Sequence, residues 1–319
     1  MDIIATESRK PPVSRRGIYW LASFPRSGNT WLRIFVCNLL DLVRGEPLPE
    51  NAASNLLKYT AVERMEINYR PFISWQDAVD HPLRVLQLRP HVQQKLANEH
   101  PHSIFAKTHS AAAITGGIPQ INPLVTRGAA YILRNPLDVA CSFAPFYDVS
   151  IDEAIRRMGM KDHYLSSADG QVAEFVSSWS INVESWTETS KIDPFVLRYE
   201  DMVNQPQRTF GAFARHANIN ATAEQVGQAI ELVAFNRLQR EEDAGHDGPR
   251  SSYSGEKFFR VGKTDQWREK LKPAQVERIV NDHGKWMERY GYLPEQASEA
   301  RAGLPVNRSA GAYPRAETT

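Results

Sequence analysis

The chain has 319 residues, with 38 Lys and Arg against 37 Asp and Glu, a formal charge of +1. With 42% hydrophobic and 24% charged residues it has the composition of an ordinary globular protein, which excludes disorder of the whole chain. So small a net charge gives no general attraction to nucleic acid or to an anionic membrane, and any polyanionic ligand must be met by locally placed cations.

The length suits one large or two modest domains. No run of about 18 apolar residues offers a transmembrane helix, and the start MDIIATESRKPPVSRR lacks the apolar core of a signal peptide. Cys37 and Cys141, the only cysteines, lie in apolar runs and read as small core residues. That usage fits a reducing, cytoplasmic compartment.

In chain order, residues 1–16 form a polar head. GIYWLAS (17–23) reads as a buried strand and TWLRIFVCNLLDLV (30–43) as a buried helix. PHVQQKLANEH (90–100) has the spacing of an amphipathic helix, and SIFAKTH (103–109) reads as a strand. GAAYILR (128–134) is a further strand, followed by a helix that Pro136 suits as a first-turn residue. The apolar spacing of Val172, Phe175, Val176, Trp179, Val183 and Trp186 predicts a helix over 171–190. PFVLRYEDM (194–202) reads as a strand, and 221–235 and 273–292 as helices. From about Glu295 to Thr319 the chain reads as a loose tail.

Strands alternating with helices predict an α/β fold with a central, mainly parallel sheet flanked by helices. Ligands of such sheets bind at the carboxyl ends of the strands. The loops after residues 23, 107, 133 and 198 are therefore expected near one another.

The first of these loops, SFPRSGNT, joins a strand to a helix. Its amides and the helix N-terminus present donors to an anion, and Arg26 adds a cation. Ser27, Gly28, Asn29 and Thr30 complete a phosphate cradle without the spacing of a nucleotide P-loop. By itself the segment equally fits a capped helix after a turn. Lys107 and His109 are two residues apart, so they share one face of an extended strand. A histidine with an ordinary pKa near ~6.5 is suited to accept a proton near neutrality.

FPRSGNTWLR resembles the 5′-phosphosulfate loop of sulfotransferases that use 3′-phosphoadenosine 5′-phosphosulfate (PAPS), usually YPKSGTTW. YILRNPLDVACSF resembles the family's 3′-phosphate segment, RNPKDVxVSxY. FVLRYEDM resembles its YEDM segment, and KFFRVGKTDQW its late signature RKGxxGDW. SSWSINVESWTETS is similar to bacterial enzymes that sulfate natural-product glycopeptides. The resemblance spans about 17–292 and implies one catalytic domain over 17–294 with a P-loop-NTPase-like fold.

It also implies roles. His109 is the general base, and Lys107 and Arg26 stabilise charge. Arg26 replaces the family lysine that contacts the leaving phosphate, and a planar fork must do so with a different geometry. The loop from Ser27 to Thr30 holds the 5′-phosphate; Arg134, Ser142, Arg260, Val261 and Gly262 form the 3′-phosphate site. Trp31, Tyr199 and Phe235 flank the adenine. Val261 replaces a family lysine, which removes one cation. Asp138 is read as structural.

The implied donor is PAPS, leaving adenosine 3′,5′-bisphosphate (PAP), with no metal. The acceptor is a hydroxyl of a small molecule, sugar or natural product. Its walls are expected from 44–85 and 145–170, which carry Tyr59, Tyr69, Phe72, Trp75, Phe146, Tyr147, Tyr164, Arg64 and Arg70. The polar, Gly-rich stretch starting at His246 reads as a lid. The family's dimer signature KxxxTVxxxE is here RxxxKPxxxE, so its dimer is not implied, and monomer and dimer both stay open. Two other readings are a nucleotide or small-molecule kinase on the same architecture and a catalytically silent PAPS-binding protein. The kinase lacks its P-loop lysine, and the silent binder has no use for the Lys107–His109 pair.

Overall fold

The computed structural model describes residues 16–100, 102–245 and 257–295. Nearly all of the polar head and of the tail, and most of the candidate lid, lie outside the described residues.

Five strands form a parallel sheet: β1 (Gly17–Ser23), β2 (Thr60–Val62), β3 (Ser103–Thr108), β4 (Thr126–Leu133) and β5 (Phe195–Arg198). Their spatial order is β2-β3-β1-β4-β5. The register aligns Val62 with Lys107, Ala22 with Thr108, Ser23 with Ile132 and Leu133 with Arg198. The carboxyl ends of all five strands therefore fall along one edge of the sheet.

β1 is continuously apolar because it is buried on both faces. Ile18, Trp20 and Ala22 pack into one core with Phe143, Trp179 and Trp286. Tyr19 and Leu21 pack into the other with Leu32, Phe35 and Phe213. Each fully buried large side chain contributes about 1.5–3 kcal/mol, so this central strand is firmly anchored.

The flanking helices include α1 (Asn29–Arg44), α2 (Pro82–Glu99), α3 (Pro136–Phe146), α4 (Trp179–Glu184), α5 (Tyr199–Asn204), α6 (Ala223–Leu232), α7 (Phe235–Asp243) and α8 (Pro273–Arg289). Asn135 caps α3 by accepting from Leu137 N–H at 3.0 Å, with Pro136 in the first turn.

The structure departs from the sequence reading at three places. α2 begins at Pro82 and carries Pro90 inside it; Val85, Leu86, Val92 and Leu96 form one buried stripe across the proline. The helix predicted over 171–190 starts only at Trp179, where the Ser178 hydroxyl accepts from Ile181 N–H at 3.2 Å. Before it the chain is extended. Val172 N–H donates to Arg64 O at 2.8 Å, and Phe175 O accepts from Ala111 N–H at 2.9 Å. Those backbone groups are spent on distant partners, so a helical apolar spacing does not become a helix. The strand predicted to 202 ends at Arg198, and Tyr199 opens α5.

Candidate active site

The loops after β1, β3, β4 and β5 meet around one pocket, as the topology requires. Arg26, Gly28, Asn29, Thr30 and Trp31 line it from the first loop and α1; Lys107 and His109 from β3; and Arg134 and Ser142 from the β4–α3 segment. Tyr199, Phe235, Arg260, Val261 and Gly262 complete the predicted set. Ser27 lies beneath the loop, 1% exposed, and its hydroxyl has no hydrogen-bond partner.

The first loop is built around two positive backbone φ angles, Arg26 at 66° and Gly28 at 105°. A Cβ on Gly28 would stand 2.8 Å from the Tyr199 ring, so only glycine lets the loop lie against α5. The Arg26 carbonyl accepts from Arg134 Nη1 at 3.0 Å, tying this loop to the end of β4. Asn29 Nδ2 donates back to Leu21 O at 2.7 Å and to Ser23 Oγ at 3.2 Å. Its amide therefore braces the loop on β1.

The Arg26 guanidinium donates from Nε to Ser142 Oγ at 3.2 Å and lies over the rings of Phe146 (4.0 Å) and Phe258 (4.8 Å). Burial, joined by Arg134 and Arg260, lowers its pKa to about 10, although the Tyr147 phenol opposes the shift. Arg134 stacks over Tyr199 at 4.1 Å and is 6% exposed, and its Nε has no partner. Three arginines and a serine thus converge on one side of the pocket with buried donor capacity left over. The late segment is held there by Asp138, which accepts from the amides of Asp265 (2.7 Å) and Trp267 (3.1 Å). Gly262 has φ 61°, and a Cβ there would stand 2.3 Å from the Phe235 ring.

Trp31 donates from Nε1 to Val233 O at 2.8 Å and meets Tyr199 edge-on at 5.9 Å. With Phe235 these rings form an aromatic wall next to the arginine cluster. Glu200, beside Tyr199, accepts from Asn135 N–H at 3.1 Å and from the Tyr292 hydroxyl at 2.7 Å, which locks α5 against α3.

On the other side of the loop, His109 Nδ1 donates to Ser23 O at 2.8 Å. A carbonyl can only accept, so this contact puts the proton on Nδ1 and leaves Nε2 as a free base. Burial, reinforced by the nearby Lys107 charge, pushes the imidazole down to about 3, well below the ordinary value expected from the sequence, so in the unliganded site it is neutral at physiological pH and a weaker base than that expectation. Lys107 is itself pushed down to about 7, chiefly by burial and also by Arg64 and Arg33, while Glu174 and Glu63 oppose the shift.

The sequence reading missed Glu174, because its segment has a helical apolar pattern. The carboxylate is 1% exposed, and its Oε1 accepts from Thr108 Oγ1 (2.9 Å), His109 N–H (2.7 Å) and Ser110 N–H (2.9 Å). It fixes the backbone that carries the imidazole. Phe258 and Phe259 also line the pocket without having been singled out, as does Cys141. Of the expected acceptor walls, Arg64, Phe146 and Tyr147 reach the pocket. Tyr69 is instead buried and donates to Glu63 at 2.5 Å, and Tyr59 donates to Asp41 at 2.8 Å. Phe72, Trp75, Tyr164 and Arg70 do not line it.

A parallel sheet with a Gly-containing first loop, buried arginines and the Lys107–His109 pair along its carboxyl edge has the P-loop-NTPase-like architecture of a group-transfer enzyme. The sulfotransferase-domain family model matches residues 18–291, and the chain belongs to that family. Sulfotransferase 1A1 of Canis lupus familiaris is 24% identical over 283 residues, covering 85% of this chain and 83% of the relative. Cytosolic sulfotransferase 14 of Arabidopsis thaliana is 22% identical, covering 81% and 72%. Among solved structures, retinol dehydratase in complex with androsterone and PAP superposes with a TM-score of 0.55 at 17% identity, covering 85% of this chain and 80% of that one. A mouse sulfotransferase complexed with PAP gives 0.53 at 14% identity, covering 90% and 88%. Among the described residues no helix is long and apolar enough to cross a membrane.

Proposed function

We propose that this protein is a PAPS-dependent sulfotransferase that transfers a sulfuryl group to a hydroxyl of a small-molecule, sugar or natural-product acceptor. The observation that carries the reading is the Nδ1 contact of His109 with Ser23 O, which leaves Nε2 as a base in a pocket flanked by Lys107. A protein that only bound nucleotide would have no need of that arrangement. The catalytic domain covers 17–294, and the site of action is the cytoplasm, in keeping with the Arabidopsis relative named cytosolic.

The pocket fits the donor. Arg134 and Ser27 hold buried donors without partners, and Gly28 and Gly262 bring the loop backbones close against the Tyr199 and Phe235 rings, where a Cβ would clash. Arg134, Ser142, Arg260 and the backbone at Val261 and Gly262 would hold the 3′-phosphate; Trp31, Tyr199 and Phe235 would hold the adenine. The loop from Ser27 to Thr30 would hold the 5′-phosphate. When bound, PAPS supplies the activated sulfuryl group.

His109 Nε2 accepts the proton of the acceptor hydroxyl as its oxygen bonds to sulfur. The bond from sulfur to the 5′-phosphate oxygen breaks, and PAP leaves. Lys107 and Arg26 stabilise the charge that develops on the departing phosphate, in a site dry enough to make each charge count. Ser23 keeps the imidazole in the working tautomer, and Glu174 keeps its backbone in place. The test is transfer of labelled sulfate from PAPS to a panel of phenols, sugars and glycolipids, together with PAP titration calorimetry. PAP binding and formation of a sulfate ester are expected, and failure to bind PAP overturns the reading.

A further inference from the structure

Resting on that reading, we infer that Arg64 is an acceptor-binding residue and that the acceptor class is a hydroxylated compound bearing a carboxylate near the reacting hydroxyl.

The first support is position. The sheet order β2-β3-β1-β4-β5 fixes the sequence of residues along the carboxyl edge of the sheet. Tyr199 follows β5, Arg134 follows β4 and Arg26 follows β1; then come Lys107 on β3 and His109 just past it, and last Arg64, two residues past β2. The nucleotide residues all lie from β1 to β5. In-line displacement puts the incoming oxygen opposite the leaving phosphate, hence on the β3 and β2 side of the sulfuryl group. Arg64 lines the pocket at that end, beyond the residues assigned to the nucleotide.

The second support is an unused donor. The Arg64 side chain is 5% exposed, yet its Nε has no hydrogen-bond partner. Nη2 donates to Ser166 O at 2.9 Å, and Nη1 stands 3.5 Å from Glu174 Oε2, an oxygen that itself accepts no hydrogen bond. The backbone that carries this side chain is fixed. Arg64 O is bonded to Val172 N–H at 2.8 Å, and Met65 bridges to Gln171.

The third is charge. Around Lys107 the buried cluster sets four cations, Arg33, Arg64, Arg89 and Lys107, against two carboxylates, Glu63 and Glu174. Arg89 is paired closely with Glu63. Glu174 is shared among Arg64, Arg89 and Lys107, so Arg64 has no carboxylate of its own. An unpaired buried charge is costly, and a carboxylate on the acceptor removes the imbalance. Phe146, Tyr147 and Leu165 supply apolar wall for the body of the same molecule.

The experiment compares sulfate transfer from PAPS to 4-hydroxybenzoate, 4-hydroxyphenylacetate and 3-(4-hydroxyphenyl)propanoate with transfer to their methyl esters. PAP affinity is measured in parallel. Wild-type kcat/KM is expected to favour at least one acid over its ester by about tenfold or more, the scale of a charge-assisted bond. Arg64→Met abolishes that preference and Arg64→Lys keeps part of it, while both retain PAP binding. The wild-type comparison needs no variant, so it decides even where Arg64→Met does not fold. PAP binding with no acid preferred to its ester, through equal rates or through no transfer at all, overturns this inference alone. A folded Arg64→Met that keeps the preference overturns it too. Absence of PAP binding removes the sulfotransferase reading and this inference with it.

Discussion

Binding of PAP at pH 8 is expected to draw nearly one proton from solution onto Lys107. In the free protein burial holds this amine down to about 7. At pH 8 only about one lysine in ten is then charged. A phosphate placed against it favours the charged form and returns it toward the ordinary lysine value near ~10.4, so uptake approaches about 0.9 proton. His109, held near 3, stays neutral at this pH and adds little. Affinity is then expected to fall close to tenfold per pH unit between roughly pH 7.5 and 9.5, since each binding event needs the proton.

The assay is titration calorimetry in two buffers of different ionisation enthalpy, with Lys107→Met as control. The heats should differ for the wild type and agree for the variant. Buffer-independent heat in the wild type at pH 8, or equal uptake in Lys107→Met, refutes the reasoning. The same shift has a consequence for the unliganded fold. The unfolded chain keeps its lysine near ~10.4, so between about pH 7 and 10 it binds more protons than the native state, and stability rises with pH across that window. Below pH 7 the cost of the buried charge is present in full, so Lys107→Met should gain most over the wild type there, read by urea denaturation.

His109→Ala should lose about 10²–10⁴ in kcat while PAP affinity is kept, and comparable turnover in the variant removes the residue as base. Arg134→Ala should bind PAP more weakly and lose discrimination against adenosine 5′-monophosphate, which lacks the 3′-phosphate; unchanged discrimination by calorimetry sinks that assignment. Glu174→Gln should destabilise the fold by about 3–5 kcal/mol at pH 7, because it strips the buried cations of their counter-charge. Burial alone would raise the Glu174 carboxyl, but Arg64, Arg89 and Lys107 outweigh it and hold the group below the ordinary carboxylate range. Its contribution is therefore fully present above about pH 4.5 and fades as pH falls toward the depressed native value. The gap between wild type and variant should close only in strong acid, and a gap that does not change with pH argues against the charge role.

Much of the site could be read from the chain because its chemistry is local. A buried strand ending in a Gly-containing loop before a helix is legible at 17–44, since burial on both faces makes β1 apolar up to Ser23 and Gly28 takes the positive φ at the helix start. Arg134 with the Asn135–Pro136 cap, and Lys107 two residues from His109, are likewise set by neighbours in sequence. Parallel strands then carry these loops to one edge, which is why motifs more than 200 residues apart line one pocket.

The tertiary structure decided what depends on partners far along the chain. Periodicity reports which side chains are buried, not where the backbone hydrogen bonds go. Val172 and Phe175 have helical spacing, yet their amide and carbonyl are taken by Arg64 and Ala111, and the extended segment delivers Glu174 to the backbone of His109. The imidazole's tautomer is set by Ser23, 86 residues away, and the shift of Lys107 by a shell that includes Arg33, Glu63, Arg64 and Glu174. Arg64 was one of many loop residues in sequence. The order of the strands put it beyond His109, because a sheet's spatial order is not its chain order, and only that order separates the proposed acceptor end of the pocket from the proposed donor end.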